Sequence, residues 1–139
     1  MVDQNCAYCM EGELVAKFGI KICELETSKV YLFKEQSHPG RCIVAHKKHV
    51  GDMNELTAEE RAAYFEDVAR VARAIMKAFN PDKVNYGAYG DTGHHLHFHL
   101  CPKYKGEYEW GGVFLMNPDK KYLTDEEYAD MIEKIKANL

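Results

Sequence analysis

The sequence lacks several features, and each absence narrows what the chain can do. No apolar run approaches the ~18 residues that cross a bilayer as a helix, so no membrane partner is expected. There is no long basic run, and 22 acidic residues outweigh 18 basic ones for a formal net charge of -4. Phosphate neutralisation along a nucleic acid is therefore not expected, and any anionic ligand must be held by a local site. Proline is scarce, at 4 of 139 residues, and glycine stands at 10, which excludes collagen-like and Pro/Gly-rich disordered chains. Met1 to Asn5 lack the charged-then-apolar pattern of a signal peptide, so the expected address is the cytoplasm. Five cysteines, an odd count with no export signal, argue against a disulfide framework.

What is present points to one globular domain over residues 1–139, since 46% apolar and 29% charged residues are the proportions of a chain that buries a core. Glu11 to Phe18 reads as a short helical turn. Gly19 to Leu25 and Lys29 to Lys34 read as two strands, and Cys42 to Ala45, after the turn Ser37-His38-Pro39-Gly40, as a third. Thr57 with Glu60 forms a capping box ahead of a long helix, and Phe65, Val68, Ala72, Ile75 and Phe79 mark its expected apolar face. Asn80-Pro81 ends it. Lys83 to Tyr89 and His95 to Cys101 are the remaining strands, split by a loop at Gly90 to Gly93. A second capping box, Thr124 with Glu127, starts a last helix, with Leu123 and Tyr128 placed as a hydrophobic staple. Between them Lys103 to Lys121 is irregular, and Glu109-Trp110-Gly111-Gly112 reads as a surface flap or a partner contact. This order predicts an α+β fold with a mainly antiparallel sheet.

Chemistry concentrates in two places. Cys23, Cys42 and Cys101 sit in apolar stretches and read as small core residues. Cys6 and Cys9 instead form Cys-Ala-Tyr-Cys, a spacing at which one backbone turn offers two thiolates to a metal that needs two further ligands. Four of the seven histidines fall between His94 and His99. His95-Leu96-His97-Phe98-His99-Leu100 alternates strictly, so in a strand its three imidazoles share one face and the apolar side chains the other. Three rings that charge together near neutral pH are a poor way to solvate a sheet, so that face is expected to do chemistry. At roughly 3.3 Å per residue His95 and His99 stand about 13 Å apart, which does not suit one zinc bonded to all three rings. At least one ring is then free, and neutral imidazole is a competent nucleophile.

The run from His95 to Tyr104 resembles the signature of the histidine triad (HIT) family of nucleotide hydrolases and transferases. Gly40-Arg41-Cys42-Ile43-Val44-Ala45-His46-Lys47-Lys48-His49 resembles that family's second block. The resemblance spans about Cys6 to Tyr104, and the Trp110 segment with the final helix is similar to a zinc-containing bacterial branch. It implies a five-stranded antiparallel sheet with one long helix and a C-terminal helix, an N-terminal Cys-x-x-Cys segment over residues 1–18, a flap and helix over 105–139, and a homodimer. It further implies that His97 attacks the α-phosphorus of a purine nucleotide or nucleotide conjugate and becomes nucleotidylated. His99 would bind the phosphate oxygens, and Cys6, Cys9, His49 and His95 would hold a structural zinc, with no organic cofactor. His94 is an alternative fourth ligand.

The chain departs from the family pattern at three points. Arg41 stands where many members carry a fourth histidine, and its planar fork suits the substrate's anionic tail. Asp91, Thr92 or His94 take the place of a Ser or Gln that serves the leaving group. Glu35 is the available acid for gripping a ribose. Two other readings remain: a zinc hydrolase using the triad as ligands, and a non-catalytic nucleotide-binding module whose Trp110 segment meets a partner.

Overall fold

The computed structural model describes residues 3–139, so Met1 and Val2 of the stretch read for a signal lie outside the described residues. Two short helices, α1 (Ala7–Met10) and α2 (Gly12–Ala16), precede strands β1 (Gly19–Glu24), β2 (Ser28–Phe33) and β3 (Cys42–His46). A 3-10 turn (Met53–Glu55) leads into α3 (Ala58–Phe79), followed by β4 (Lys83–Gly87), β5 (His97–Lys103) and α4 (Asp125–Ala137). The strands form one sheet in the order β1-β2-β3-β5-β4, and every pairing is antiparallel. The expected α+β architecture, with five antiparallel strands, a long helix and a C-terminal helix, is the one observed. Among the described residues no helix is long and apolar enough to cross a membrane.

The register explains which face does what. Ala45 pairs with His97 and Ile43 with His99, so both histidines stand on the face that carries Ile43 and Ala45. Phe98 and Leu100 point the other way, into the main core with Val44, Val71 and Ile75. The histidine face has its own smaller cluster, in which Tyr8 and Val15 from the first helices pack on Tyr31, Phe33, Ile43 and Ala45.

Both expected capping boxes form. Thr57 Oγ1 accepts from Glu60 N at 3.1 Å while Glu60 Oε1 accepts from Thr57 N at 2.9 Å, and Thr124 with Glu127 repeats the arrangement. Asn80 takes the left-handed conformation (φ 50°) that stops α3 before Pro81.

Three expectations shift. The strand carrying the triad starts at His97, not His95, and runs to Lys103. Ahead of it Leu96 N donates to Val50 O and His46 N to Leu96 O, so the loop after β3 captures that stretch outside the ladder. Strand β4 stops at Gly87, where the rings of Tyr89 and Phe114 close in so tightly that a Cβ would lie 2.6 and 2.8 Å from them. The buried face of α3 is centred on Tyr64, Val68, Val71 and Ile75, and Phe65 stands 38% exposed. Tyr64 takes the inner position because its hydroxyl donates to Val44 O at 2.8 Å, which removes the cost of burying it.

The irregular segment after β5 is strapped to the sheet by buried polar side chains. Lys103 Nζ donates to the carbonyls of Glu109 (2.8 Å) and Gly112 (2.7 Å), and His38 Nε2 donates to Glu109 Oε1 at 2.6 Å.

Candidate active site and metal centre

The N-terminal cysteines meet the triad through local geometry. Cys6 is the N-cap of α1, so one helical turn brings Cys9 back beside it. His49 arrives on the loop after β3, and His95 lies two residues ahead of β5. Cys6 Sγ is 3.3 Å from His95 Nδ1, and Cys9 Sγ is 3.3 Å from His49 Nδ1 and 3.6 Å from His95 Nδ1. The two Nδ1 atoms stand 3.1 Å apart. A tetrahedral zinc bonded to sulfur at about 2.3 Å and nitrogen at about 2.0–2.1 Å gives S···N edges of about 3.5 Å and N···N edges of about 3.3 Å. The donor set fits that ion. His95 Nε2 donates to His46 O at 2.6 Å, which turns the Nδ1 lone pair toward the cysteines. Burial pushes the His95 pKa down to about 4, so the ring is neutral, as a ligand must be. His94 is outside the set: it is exposed, with its ring pressed on the backbone of Gly51.

The next two triad histidines have different partners. His97 Nδ1 lies 2.7 Å from His95 O. A carbonyl only accepts, so Nδ1 carries the proton and Nε2 keeps its lone pair. The Tyr8 ring packs 4.9 Å from that of His97, and burial lowers the pKa of His97, which holds the ring neutral. His99 Nδ1 instead lies 3.0 Å from Arg41 Nη2. Burial, reinforced by the Arg41 charge, pushes the His99 pKa down to about 2.

A cleft of about 940 Å³ opens over this face, a volume that suits a nucleotide. His97 and His99 line it, together with Phe18, Phe33 and Phe114 and the cations Lys17 and Lys34. Asp91, Thr92 and His94 also border it, on the loop ahead of the triad. Arg41 is placed differently from the expectation that it meets the substrate's phosphate. It is fully buried behind His99 and its fork is committed to protein groups, because the flap after β5 folds over it. Glu35 reaches the cleft wall, but its carboxylate already accepts from Ser37 N, Ser37 Oγ, Lys120 N and Lys121 N. The two bonds from Lys120 and Lys121 tie the flap's end to Glu35, and all four leave little of the carboxylate for a ribose.

Sequence reasoning missed Tyr8, Phe33 and Phe114. Tyr8 sits inside Cys-Ala-Tyr-Cys, so once that turn docks on the triad it must fall over His97. Phe114 carries no local signal, because only the strapping of the flap brings it 6.4 Å from the His99 ring.

The HIT domain family matches residues 19–106 of this chain. The adenosine 5'-monophosphoramidase of Schizosaccharomyces pombe is 28% identical over 144 residues, covering 97% of this chain and 98% of that protein. A histidine triad protein from Sinorhizobium meliloti superposes with a TM-score of 0.84 at 25% identity, over 92% of this chain and 95% of that one. A Zn-bound histidine triad family protein from Mycobacterium smegmatis shares the fold, with a TM-score of 0.68 at 23% identity over 95% of this chain and 93% of that one.

Proposed function

Because this chain belongs to the HIT domain family, we propose that it cleaves nucleotide conjugates at the α-phosphate through a nucleotidyl intermediate on His97. The observation that carries this reading is the bond from His97 Nδ1 to His95 O, which leaves an unprotonated Nε2 on a residue that lines the cleft. Nε2 forms a bond to phosphorus as the bond to the leaving group breaks, and the leaving group departs with its electron pair. Water or another acceptor then displaces the imidazole, releases the nucleoside monophosphate or its ester, and restores neutral His97. His99 binds a non-bridging phosphate oxygen as charge gathers there. A purine nucleotide is the proposed substrate moiety, since the aromatic rings lining the cleft offer it stacking surface.

Cys6, Cys9, His49 and His95 are assigned a structural zinc, which supplies a cross-link between the N-terminal segment, the loop after β3 and the start of the catalytic strand. Four protein donors would fill a tetrahedral zinc's coordination and leave no position for substrate, which disfavours a zinc hydrolase. The chain is further read as a homodimer, an inference supported by the exposed Phe65 and Met76 on the outward face of α3.

The test is incubation with adenosine 5'-phosphoramidate and with diadenosine tetraphosphate, followed by quench and peptide mass analysis. The expected result is an adenylyl mass on the peptide that contains His97, with turnover lost in His97→Ala while zinc content and circular dichroism are kept. Undiminished turnover in His97→Ala would sink the reading. Binding of both nucleotides with neither adduct nor product would point to a non-catalytic module.

A further inference from the structure

Among the described residues Arg41 is the largest fully buried side chain and faces no carboxylate within salt-bridge distance. Its guanidinium lies between the rings of Phe33 and Phe114, 4.1 and 4.9 Å from their centroids. Nη1 donates to Leu115 O at 3.1 Å, and Nη2 to Met116 O at 2.9 Å and to His99 Nδ1 at 3.0 Å. Burying a charge this completely is costly, and two carbonyls and two aromatic faces offset only part of that cost. The placement calls for a purpose that a neutral residue would not serve.

The chemistry of the contact supplies one. A guanidinium has donors and no acceptor, so at this contact the imidazole must accept. A ring that accepts at Nδ1 is neutral and carries its single proton on Nε2. His97, one turn of the pleat away, is fixed the opposite way by a carbonyl that can only accept. Two neighbouring imidazoles of the same strand are thus held in opposite tautomers by partners of opposite hydrogen-bonding character.

We propose that Arg41 is a positioning residue that locks His99 in the Nε2–H tautomer, making it an obligatory hydrogen-bond donor to a phosphoryl oxygen in the cleft. The consequence for turnover rests on the nucleotidyl-transfer reading above; the lock itself does not. In the other tautomer the Nε2 lone pair of His99 would oppose the lone pairs of a phosphate oxygen, and the ring would repel the group it has to stabilise. Arginine suits the task because it does not give up its proton near neutrality, so the lock does not lapse when charge moves through the site. The backbone at Leu115 and Met116 is part of the device, since those carbonyls aim the fork at His99.

Long-range ¹H–¹⁵N correlation of the histidine rings in the ¹⁵N-labelled, zinc-loaded protein at pH 7 tests this directly. In the wild-type protein His99 is expected to show a protonated Nε2 and a bare Nδ1, and His97 the reverse. Arg41→Met removes the donor and keeps the length. It is expected to move His99 toward the Nδ1–H form and to lower kcat at least about tenfold, short of the about 100- to 1000-fold that outright loss of one oxyanion donor costs, with a smaller change in KM. Arg41→Lys retains a donor and is expected to bring back the Nε2–H form and part of kcat. A wild-type His99 protonated on Nδ1 overturns the proposal without any variant, which keeps it testable should Arg41→Met fail to fold. A folded Arg41→Met protein whose His99 remains purely Nε2–H also overturns it. The expected tautomers with no nucleotidyl adduct on any substrate would leave the lock standing and refute the proposed reaction instead.

Discussion

At the scale of single residues, the triad is three imidazoles in three different environments, and the proposed role of each follows from what touches its ring from behind. The alternation from His95 to His99 made the shared face legible in sequence, because a period of two is a property of any strand. The partners were not legible: His46 O, His95 O and Arg41 Nη2 reach the rings through tertiary folding. Arg41 and Glu35 show the limit most plainly. Sequence alone makes both candidates for contact with substrate, and both spend their charge on the protein. Burial alone would raise the Glu35 pKa, but hydrogen bonds from Ser37 and from the backbone at Lys121 and Lys120 outweigh it and hold the carboxyl below its ordinary value. A carboxyl depressed in the folded state contributes stability above its unfolded pKa of about 4.3, and loses that contribution as pH falls through the folded value. Glu35→Gln is therefore expected to lower unfolding free energy by roughly 1–3 kcal/mol at pH 7. Urea melts of wild type and variant should converge as pH falls below about 4. A constant gap down to pH 3 would contradict the assignment.

At the scale of elements, the two capping boxes and the Asn80-Pro81 stop were legible because each is a local contact within a few residues. The N-terminal helices are another matter. Helices of four and five residues do not stand alone in water, where fewer than about 12 residues give marginal helicity. Their order depends on the Cys6, Cys9, His49 and His95 knot and on Tyr8 and Val15 in the smaller cluster. Chelating the proposed zinc, or replacing Cys9 with Ser, is thus expected to raise hydrogen exchange in residues 3–18 and around His49, with little change in β2, β3 and α3. Because Tyr8 covers His97, the same treatment should slow turnover without removing it. Uniform loss of protection across the sheet would mean that the knot holds the whole fold; unchanged exchange in the first 18 residues would mean that no metal is needed there.

At the scale of the whole molecule, the misplaced face of α3 becomes informative. The sequence reading merged two apolar stripes into one, because both run at steps of three and four. The inner stripe, Tyr64, Val68, Val71 and Ile75, is buried against the sheet. The outer one, Ala62, Phe65, Ala69 and Met76, runs past the buried Ala72 and leaves Phe65 38% and Met76 41% exposed. Spacing of 3, 4, 3 and 4 along a 22-residue helix is the seam that packs against another helix. The edge strand β4 adds Tyr86, 51% exposed, on a strand with one side unpaired among the described residues. A second copy meeting this face through its own α3 would bury the same patch twice, as an isologous contact does. Sedimentation velocity at micromolar concentration is expected to give a dimer, and Phe65→Asp with Met76→Asp a monomer. The face that carries His97 and His99 lies across the sheet from α3, since these residues alternate with Phe98 and Leu100 along one strand. The monomeric variant should therefore still form the His97 adduct, at reduced thermal stability. If it loses adduct formation while remaining folded and zinc-loaded, the two faces of the sheet are not independent and the partner copy contributes to the site.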